Sequence, residues 1–256
     1  MIGVADSTSY DDKKASYIEA IRLCPQRTDA YIKLLSAYEQ NGIYDKTESS
    51  EFTALYNGAK DLWKEKGGGE LTYLAGRLYF GLYTEDGSQV SMSSRVQRAA
   101  SYFDCCMENP PQDPGEAKTA KCYYVISVYY KDYILANSTK KELTDETVQN
   151  LMNAAKEALE VTSGSEFDRL NCASAICNLL YDQRTEFARV SSEREGEISS
   201  ILQRAFQVAE ETVVSRPESV EIKNTIISNK EEYMAAIEHA FESQKQDDCP
   251  DTTGGE

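Results

Sequence analysis

The chain has 256 residues, enough for one large domain or two small ones. Apolar, aromatic and sulfur-containing residues make up 41% of it, so it can bury a sizeable core and is not a disordered polymer. The 43 acidic residues outnumber the 27 basic ones, and the resulting net charge of −16 repels both nucleic acid and anionic membrane surfaces. We therefore expect no nucleic-acid partner.

Helical spacing dominates the chain, and only 14 Gly and 6 Pro interrupt it, too few for a fold of many short strands. The sequence therefore predicts an all-α protein of about eleven helices. Residues 84–94 are polar and predict a loop. The predicted helices lie at 10–24, 29–41, 45–66, 70–83, 96–109, 115–135, 144–161, 165–183, 192–214, 218–228 and 230–243.

The compartment is indicated by what the sequence lacks. No run of about 18 apolar residues occurs, and the opening MIGVADSTSYDDKK has neither the basic start nor the apolar stretch of a signal peptide. The 7 cysteines are odd in number and most lie in apolar helical stripes, which favours free thiols and a reducing compartment. These features predict a cytoplasmic chain with no direct membrane insertion, while a longer parent protein could be membrane-anchored.

One set of residues follows the spacing of a known helical repeat. It consists of Ala99, Phe103, Cys106 and Pro111, separated by four, three and five positions. This pattern resembles the second helix of the tetratricopeptide repeat, in which small residues let paired helices touch, an aromatic fills the gap between pairs and proline ends the unit. Tyr31, Leu34 and Tyr38 resemble its first helix.

The resemblance implies an α-α superhelix of stacked antiparallel helix pairs over residues 1–135. Residues 136–243 show helical spacing without a clear repeat signature and are expected to continue the superhelix less regularly. Residues 244–256 have no apolar periodicity and predict a disordered acidic tail.

Three longer strings resemble a narrower family. They are DAYIKLLSAYEQNGIYDKTESSEF, GELTYLAGRLYFGLYTEDG and SSRVQRAASYFDCCMENP. In this order they are similar to the helical repeat region that follows the catalytic domain in certain serine/threonine protein kinases of the Firmicutes. The resemblance implies a non-catalytic regulatory or scaffolding region of a bacterial signalling kinase, because the Gly-rich loop and the HRD-type and DFG-type motifs are missing from this chain.

A candidate peptide-binding groove follows from the same resemblance, because the first helices of successive repeats line a concave surface. The residues placed there are Tyr73, Arg77, Phe80, Tyr123, Ser127, Tyr130 and Lys131. Aromatic side chains with one or two cations can hold an extended peptide and anchor its carboxylate or phosphate. The alternative is that Tyr73 or Tyr123 simply packs between repeats.

Catalytic and metal-binding patterns are weak. His239, the single histidine, lies on a predicted helix without a nucleophile nearby in sequence, and Gly67 to Gly69 lack the order of a phosphate-binding loop. The pairs Cys105–Cys106 and Cys172–Cys177 have no zinc-ligand spacing and are interpreted as core thiols. We expect no enzymatic activity, no metal and no cofactor in this chain.

Two other functions stay open beside the kinase-associated interaction module. The chain could be a free-standing tetratricopeptide protein unrelated to kinases, or a phosphopeptide-binding adaptor like the 14-3-3 proteins, whose arginine clamp is not found here. The net charge is −4 over residues 1–128 and −12 over residues 129–256. A ligand that binds the groove through Arg77 and Lys131 should be acidic or carry a carboxylate, whereas a ligand of the more acidic second half should be basic. The oligomeric state is open.

Overall fold

The computed structural model describes residues 9–25, 27–40, 51, 54, 69, 71–73, 75–77, 80, 89–134, 142–162, 166–215 and 217–247. Every regular element within these residues is a helix and none is a strand, which confirms the all-α prediction. The chain divides into two compact units, unit 1 (Met1–Leu135) and unit 2 (Ala136–Glu256). Of the predicted helix at 45–66, positions 51 and 54 are helical and the rest lies outside the described residues.

Unit 1 begins with two helices that pack against each other, α1 (Tyr10–Leu23) and α2 (Thr28–Gln40). The Ser9 hydroxyl accepts a hydrogen bond from the backbone N–H of Asp12, which satisfies one of the open donors at the start of α1. Ile18 and Ile21 of α1 pack with the buried residues of α2, among them Tyr31. A hydrophobic core thus lies between the two helices.

The second half of unit 1 contains α3 (Gln89–Glu108) and α4 (Pro114–Tyr129), which pack together along their length. Asp113 begins α4 by accepting hydrogen bonds from the N–H groups of Gly115 and Glu116, at 2.7 and 3.0 Å. The loop prediction was wrong for residues 89–94, which belong to α3. Their serines cost only a few tenths of a kcal/mol in a helix, so the helix that buries Val96 extends back through them.

Two glycines allow close packing between α3 and the helical residues at 69, 71–73, 75–77 and 80, which we call the 69–80 segment. A Cβ on Gly69 would lie 2.5 Å from the carbonyl oxygen of Asn109, and one on Gly76 would lie 2.6 Å from the Phe103 ring. The repeat pattern places small residues where helices touch, and Gly76 makes such a contact with Phe103. Larger residues at 69 or 76 would push the segment away from α3.

Unit 2 consists of six α-helices within its described residues. They are α5 (Asp145–Leu159), α6 (Glu166–Asp182), α7 (Arg184–Val190), α8 (Glu195–Glu211), α9 (Pro217–Ser228) and α10 (Lys230–Asp247). Helix α6 packs against α8 and α9, while α10 packs against α7 and α8. Phe187, Phe206 and Phe241, from α7, α8 and α10, are fully buried. The core of unit 2 is thus built from helices far apart in the sequence.

Unit 2 differs from the sequence prediction in one missed helix and in the bounds of another. Helix α7 was not predicted, because its seven residues bury only Phe187 and Ala188 and are too short for a periodic signal. The predicted helix at 192–214 is a 3₁₀ turn, Ser192–Arg194, followed by α8, which ends at Glu211. The Lys223 Nζ donates to the carbonyl oxygens of Glu210 and Thr212, at 3.0 and 2.8 Å, and so satisfies the end of α8.

The predicted acidic tail begins too early. Residues 244–247 continue α10, because the buried Phe241 and an ion pair between Lys245 Nζ and Glu195 Oε2 at 2.6 Å hold its last turns. Residues 248–256, the remainder of the predicted tail, lie outside the described residues.

Arg194 joins the starts of α5 and α8 through a charged network. Its Nε and Nη2 donate to the two carboxylate oxygens of Asp145, at 2.6 and 2.7 Å, and its Nη1 lies 3.1 Å from Glu197 Oε2. The Ser191 hydroxyl also donates to Asp145, at 2.7 Å, and Lys156 pairs with Glu197. The two-pronged contact of a guanidinium with one carboxylate is among the stronger ionic arrangements in proteins.

We expect this network to make unit 2 less stable in acid. The Arg194 guanidinium, followed by the Ser191 hydroxyl, lowers the pKa of Asp145 from 3.8 to about 2. Because the pKa is lowered in the folded state, the stabilisation is fully present well above the unfolded pKa of 3.8 and is lost as the pH falls through that value towards about 2. Asp145→Asn should therefore destabilise the chain at neutral pH and approach the wild type near pH 2. Urea unfolding across this range measures the difference, with Glu146→Gln as the exposed control; parallel curves would contradict the prediction.

Candidate functional site

The candidate groove residues fall on the 69–80 segment, on α4 and on the turn that follows α4, all in unit 1. Three of the aromatic members surround Phe103 of α3. The ring centres of Tyr73, Phe80 and Tyr123 lie 6.5, 6.4 and 5.5 Å from that of Phe103, and Phe80 and Tyr123 are 4.7 Å apart. We call these four rings the Phe103 cluster. Aromatic pairs at these separations interact favourably beyond the area they bury.

The Phe103 cluster is part of the core. Tyr73 and Tyr123 are only 1% and 2% exposed, Phe80 is 6% exposed and Phe103 is completely buried. Tyr73 and Tyr123 therefore pack among the helices of unit 1, as the alternative interpretation of the sequence has it. They can shape a binding surface from below, but a ligand would not touch them without a rearrangement of the helices.

Arg77 is the cation of the 69–80 segment. Its Cζ lies 5.4 Å from the centre of the Tyr73 ring, and its side chain is half-buried. A guanidinium over an aromatic face gains a cation–π attraction, and the aliphatic stem covers apolar surface. Arg77 thus places a positive charge at the edge of the Phe103 cluster, in a position fixed by the ring beneath it.

Ser127, Tyr130 and Lys131 lie one and two turns after Tyr123. Ser127 is completely buried, and its hydroxyl has no hydrogen-bond partner among the described residues. Tyr130 is also buried and begins a π-helical turn, Tyr130–Ile134, in which Lys131 pairs with Asp132 at 3.7 Å. Such turns are rare and are often found at functional sites. Lys131 keeps 42% of its side chain exposed.

The seven candidate residues therefore separate by depth. Five are buried, and only the cations Arg77 and Lys131 are partly exposed. The 69–80 segment and α4 are brought together by the contact between Phe80 and Tyr123. Direct contact with a ligand of these residues would fall on the two cations, of which Arg77 is supported by the Tyr73 ring and Lys131 pairs with Asp132.

The thiols and the histidine have the surroundings of structural groups. Cys106, Cys122, Cys172 and Cys177 are buried, whereas Cys105, interpreted from the sequence as a core thiol, is only half-buried. No group of three metal-ligating side chains occurs within the described ranges. Burial raises the pKa of the Cys177 thiol to about 12, so it stays protonated and is a poor nucleophile at neutral pH. His239 is exposed on α10, beside Ser243.

One surface cluster of unit 2 was not found from the sequence. Tyr181 of α6 stacks on Tyr233 of α10, with ring centres 4.2 Å apart and planes 14° apart, and Arg184 of α7 lies over Tyr181 at 4.5 Å. The only sequence signal was the three-residue spacing of Tyr181 and Arg184. Tyr233 follows about fifty residues later, and only the packing of α10 reveals it.

No helix among the described residues is long and apolar enough to cross a membrane. No family model, curated protein or solved structure matches this chain.

Proposed function

We propose that the chain is a non-catalytic protein-interaction module whose unit 1 binds an extended, acidic peptide. The observation that carries this proposal is the separation of the candidate groove into a buried aromatic layer and two partly exposed cations, Arg77 and Lys131. A cation fixed on a rigid aromatic base loses little entropy when it binds a carboxylate, which favours recognition. Stacked antiparallel helix pairs of the tetratricopeptide type would present this surface.

The kinase relationship is a further part of the proposal and rests on the resemblance of residues 29–52, 69–87 and 93–110 to the repeat region of Firmicutes serine/threonine kinases. The close packing of Gly76 on Phe103 supports a structural role for two of those strings. The gene sequence tests it directly. A kinase catalytic domain upstream in the same reading frame would support a regulatory or scaffolding arm, and an independent upstream gene would reject it.

Charge reversal at Arg77 tests the groove. We expect Arg77→Glu to weaken binding of a partner captured by the full chain at least about tenfold, because an attraction to a carboxylate becomes a repulsion. Lys118→Glu is the matched control, since it makes the same change in net charge at an exposed position of α4. Biolayer interferometry of the three proteins at two salt concentrations provides the measurement.

The salt dependence separates this groove from a site in unit 2. If Arg77→Glu leaves the affinity unchanged while the association rate falls steeply with salt, the ligand is basic and binds the more acidic second half. That result would overturn the placement of the ligand on unit 1. Equal losses in Arg77→Glu and Lys118→Glu would show a general charge effect and would also reject the groove.

A further inference from the structure

The aromatic pair in unit 2 is held in place at both hydroxyl groups. The Tyr181 hydroxyl donates to Glu232 Oε1 at 2.9 Å, and the Tyr233 hydroxyl donates to Asn178 Oδ1 at 3.1 Å. These bonds tie together α6 and α10, the two helices that supply the rings. Because Tyr181 stacks almost parallel on Tyr233, its outer face offers a flat and immobile base for Arg184.

Arg184 is fixed on this base with part of its hydrogen-bonding capacity unused. Its Nη1 donates to the carbonyl oxygen of Tyr181 at 2.5 Å, and its Cζ lies 4.5 Å above the Tyr181 ring. Its Nε and Nη2 make no hydrogen bond within the described part of the chain, and the side chain is only half-buried. These two nitrogens form one edge of the guanidinium, which is the edge that binds a carboxylate through two parallel hydrogen bonds.

The absence of a carboxylate partner distinguishes Arg184 from most cations of unit 2. Six others each lie within ion-pair distance of a carboxylate, namely Lys156, Arg189, Arg194, Arg204, Lys230 and Lys245. Arg169 and Lys223 also lie beyond ion-pair distance of every carboxylate among the described residues, but the Arg169 Nε is buried, and the Lys223 Nζ is already bonded to the carbonyl oxygens of Glu210 and Thr212. Arg184 is therefore the cation of this group that combines a fixed position with an accessible edge.

The charged residues around Arg184 indicate which class of anion it can bind. Asp182 interacts electrostatically with Arg184 without reaching ion-pair distance, and Glu232 is bound to the far end of Tyr181. These acidic neighbours repel a dianion more strongly than a monoanion. One guanidinium edge binds a small free anion such as acetate only weakly, so tight binding requires an anion carried by a larger molecule whose other contacts add affinity.

We propose that Arg184, fixed on the Tyr181–Tyr233 stack, is a docking point for an aspartate, glutamate or C-terminal carboxylate of a partner protein. This surface is formed by residues of unit 2 and shares none with the proposed groove of unit 1, so the two proposals can fail independently. The interaction would be specific in geometry and modest in strength, because one half-exposed ion pair contributes little by itself.

The test follows the arginine Nε–H resonances of the full chain by NMR during titration with sodium acetate, at an ionic strength held constant with sodium chloride. We expect the Arg184 resonance, assigned by its loss in Arg184→Lys, to shift at least about threefold more than that of Arg189, which is already bonded to Glu186. A response of Arg184 no larger than that of Arg189 would overturn the proposal. A larger response to inorganic phosphate than to acetate would reject the carboxylate ligand and would indicate a phosphorylated partner.

Two variants test the role of the stack. Tyr181→Phe keeps the ring and should keep the acetate response of Arg184, whereas Tyr181→Leu removes the flat base and should reduce that response about threefold or more. An unchanged response in Tyr181→Leu would reject the positioning role of the ring. If Tyr181→Leu loses its helical circular dichroism, the comparison of acetate with phosphate on the wild-type chain still decides the ligand class.

Discussion

Phe103→Ala is expected to lower the free energy of unfolding of unit 1 by about 3–5 kcal/mol, the usual cost of removing a buried aromatic side chain. Phe103 is completely buried, and it contacts Tyr73, Phe80 and Tyr123. Its removal would therefore leave a cavity lined by three rings from two other helical segments. Because those rings are held by their own helices, they are not free to collapse and fill the cavity.

Urea unfolding followed by far-ultraviolet circular dichroism measures this loss, because the signal reports the melting of the helices. Met107→Ala on the same helix is the matched control, since Met107 is 37% exposed and should lose well under about 1 kcal/mol. If the two variants unfold at the same urea concentration, Phe103 does not carry the packing of unit 1. The aromatic slot of the repeat pattern would then be assigned to the wrong residue.

The contribution of Phe103 could be predicted from the sequence because it depends on local spacing. A small residue, an aromatic four positions later and a small residue three positions later place all three on one helix face, whatever the rest of the chain does. The structure adds Gly76 of the 69–80 segment as a point of close contact with this aromatic residue, because a Cβ on Gly76 would lie 2.6 Å from the Phe103 ring. The presence of a helix and the face that it turns to the core depend on nearby residues, so they can be predicted from the sequence.

The depth of the candidate groove could not be predicted in the same way. Helical spacing shows that Tyr73 and Phe80 share a face of one helix and that Tyr123 and Ser127 share a face of another, but it does not give the distance between the two helices. The ring centres of Phe80 and Tyr123 are 4.7 Å apart, and at this separation the aromatic layer is closed to solvent. Arg77 stays at the edge because its long side chain reaches beyond the rings.

The charged contacts of unit 2 could not be predicted from the sequence either. Asp145 and Arg194 are separated by 49 positions, and Tyr181 and Glu232 by 51. In a chain with 43 acidic and 27 basic residues, each cation has many possible partners, and only the packing of the helices selects one. The short helix α7, which places Arg184, likewise depends on burial of Phe187 by residues distant in sequence.

The second large effect is expected at Gly76, where adding side-chain atoms should destabilise unit 1 even though it favours the helix. Alanine gains about 1 kcal/mol over glycine in a helix. Here, however, the new Cβ would lie 2.6 to 2.9 Å from three atoms of the Phe103 ring, which is enclosed on its other sides. We expect a net loss of about 1–2 kcal/mol for Gly76→Ala and about 3 kcal/mol for Gly76→Val, the range of overpacked cores.

Gly196→Ala provides the opposite control, because no atom lies within 4 Å of the Cβ that it would add in α8. This substitution should stabilise the chain, by up to about 1 kcal/mol. The double variant Gly76→Ala with Phe103→Leu then isolates the contact itself. If the clash with the ring causes the loss, the smaller leucine should relieve it, and the double variant should be about 1 kcal/mol more stable than the sum of the two single changes predicts. Urea unfolding of the four proteins measures this coupling; purely additive losses would show that Gly76 acts through the backbone and not through its contact with Phe103.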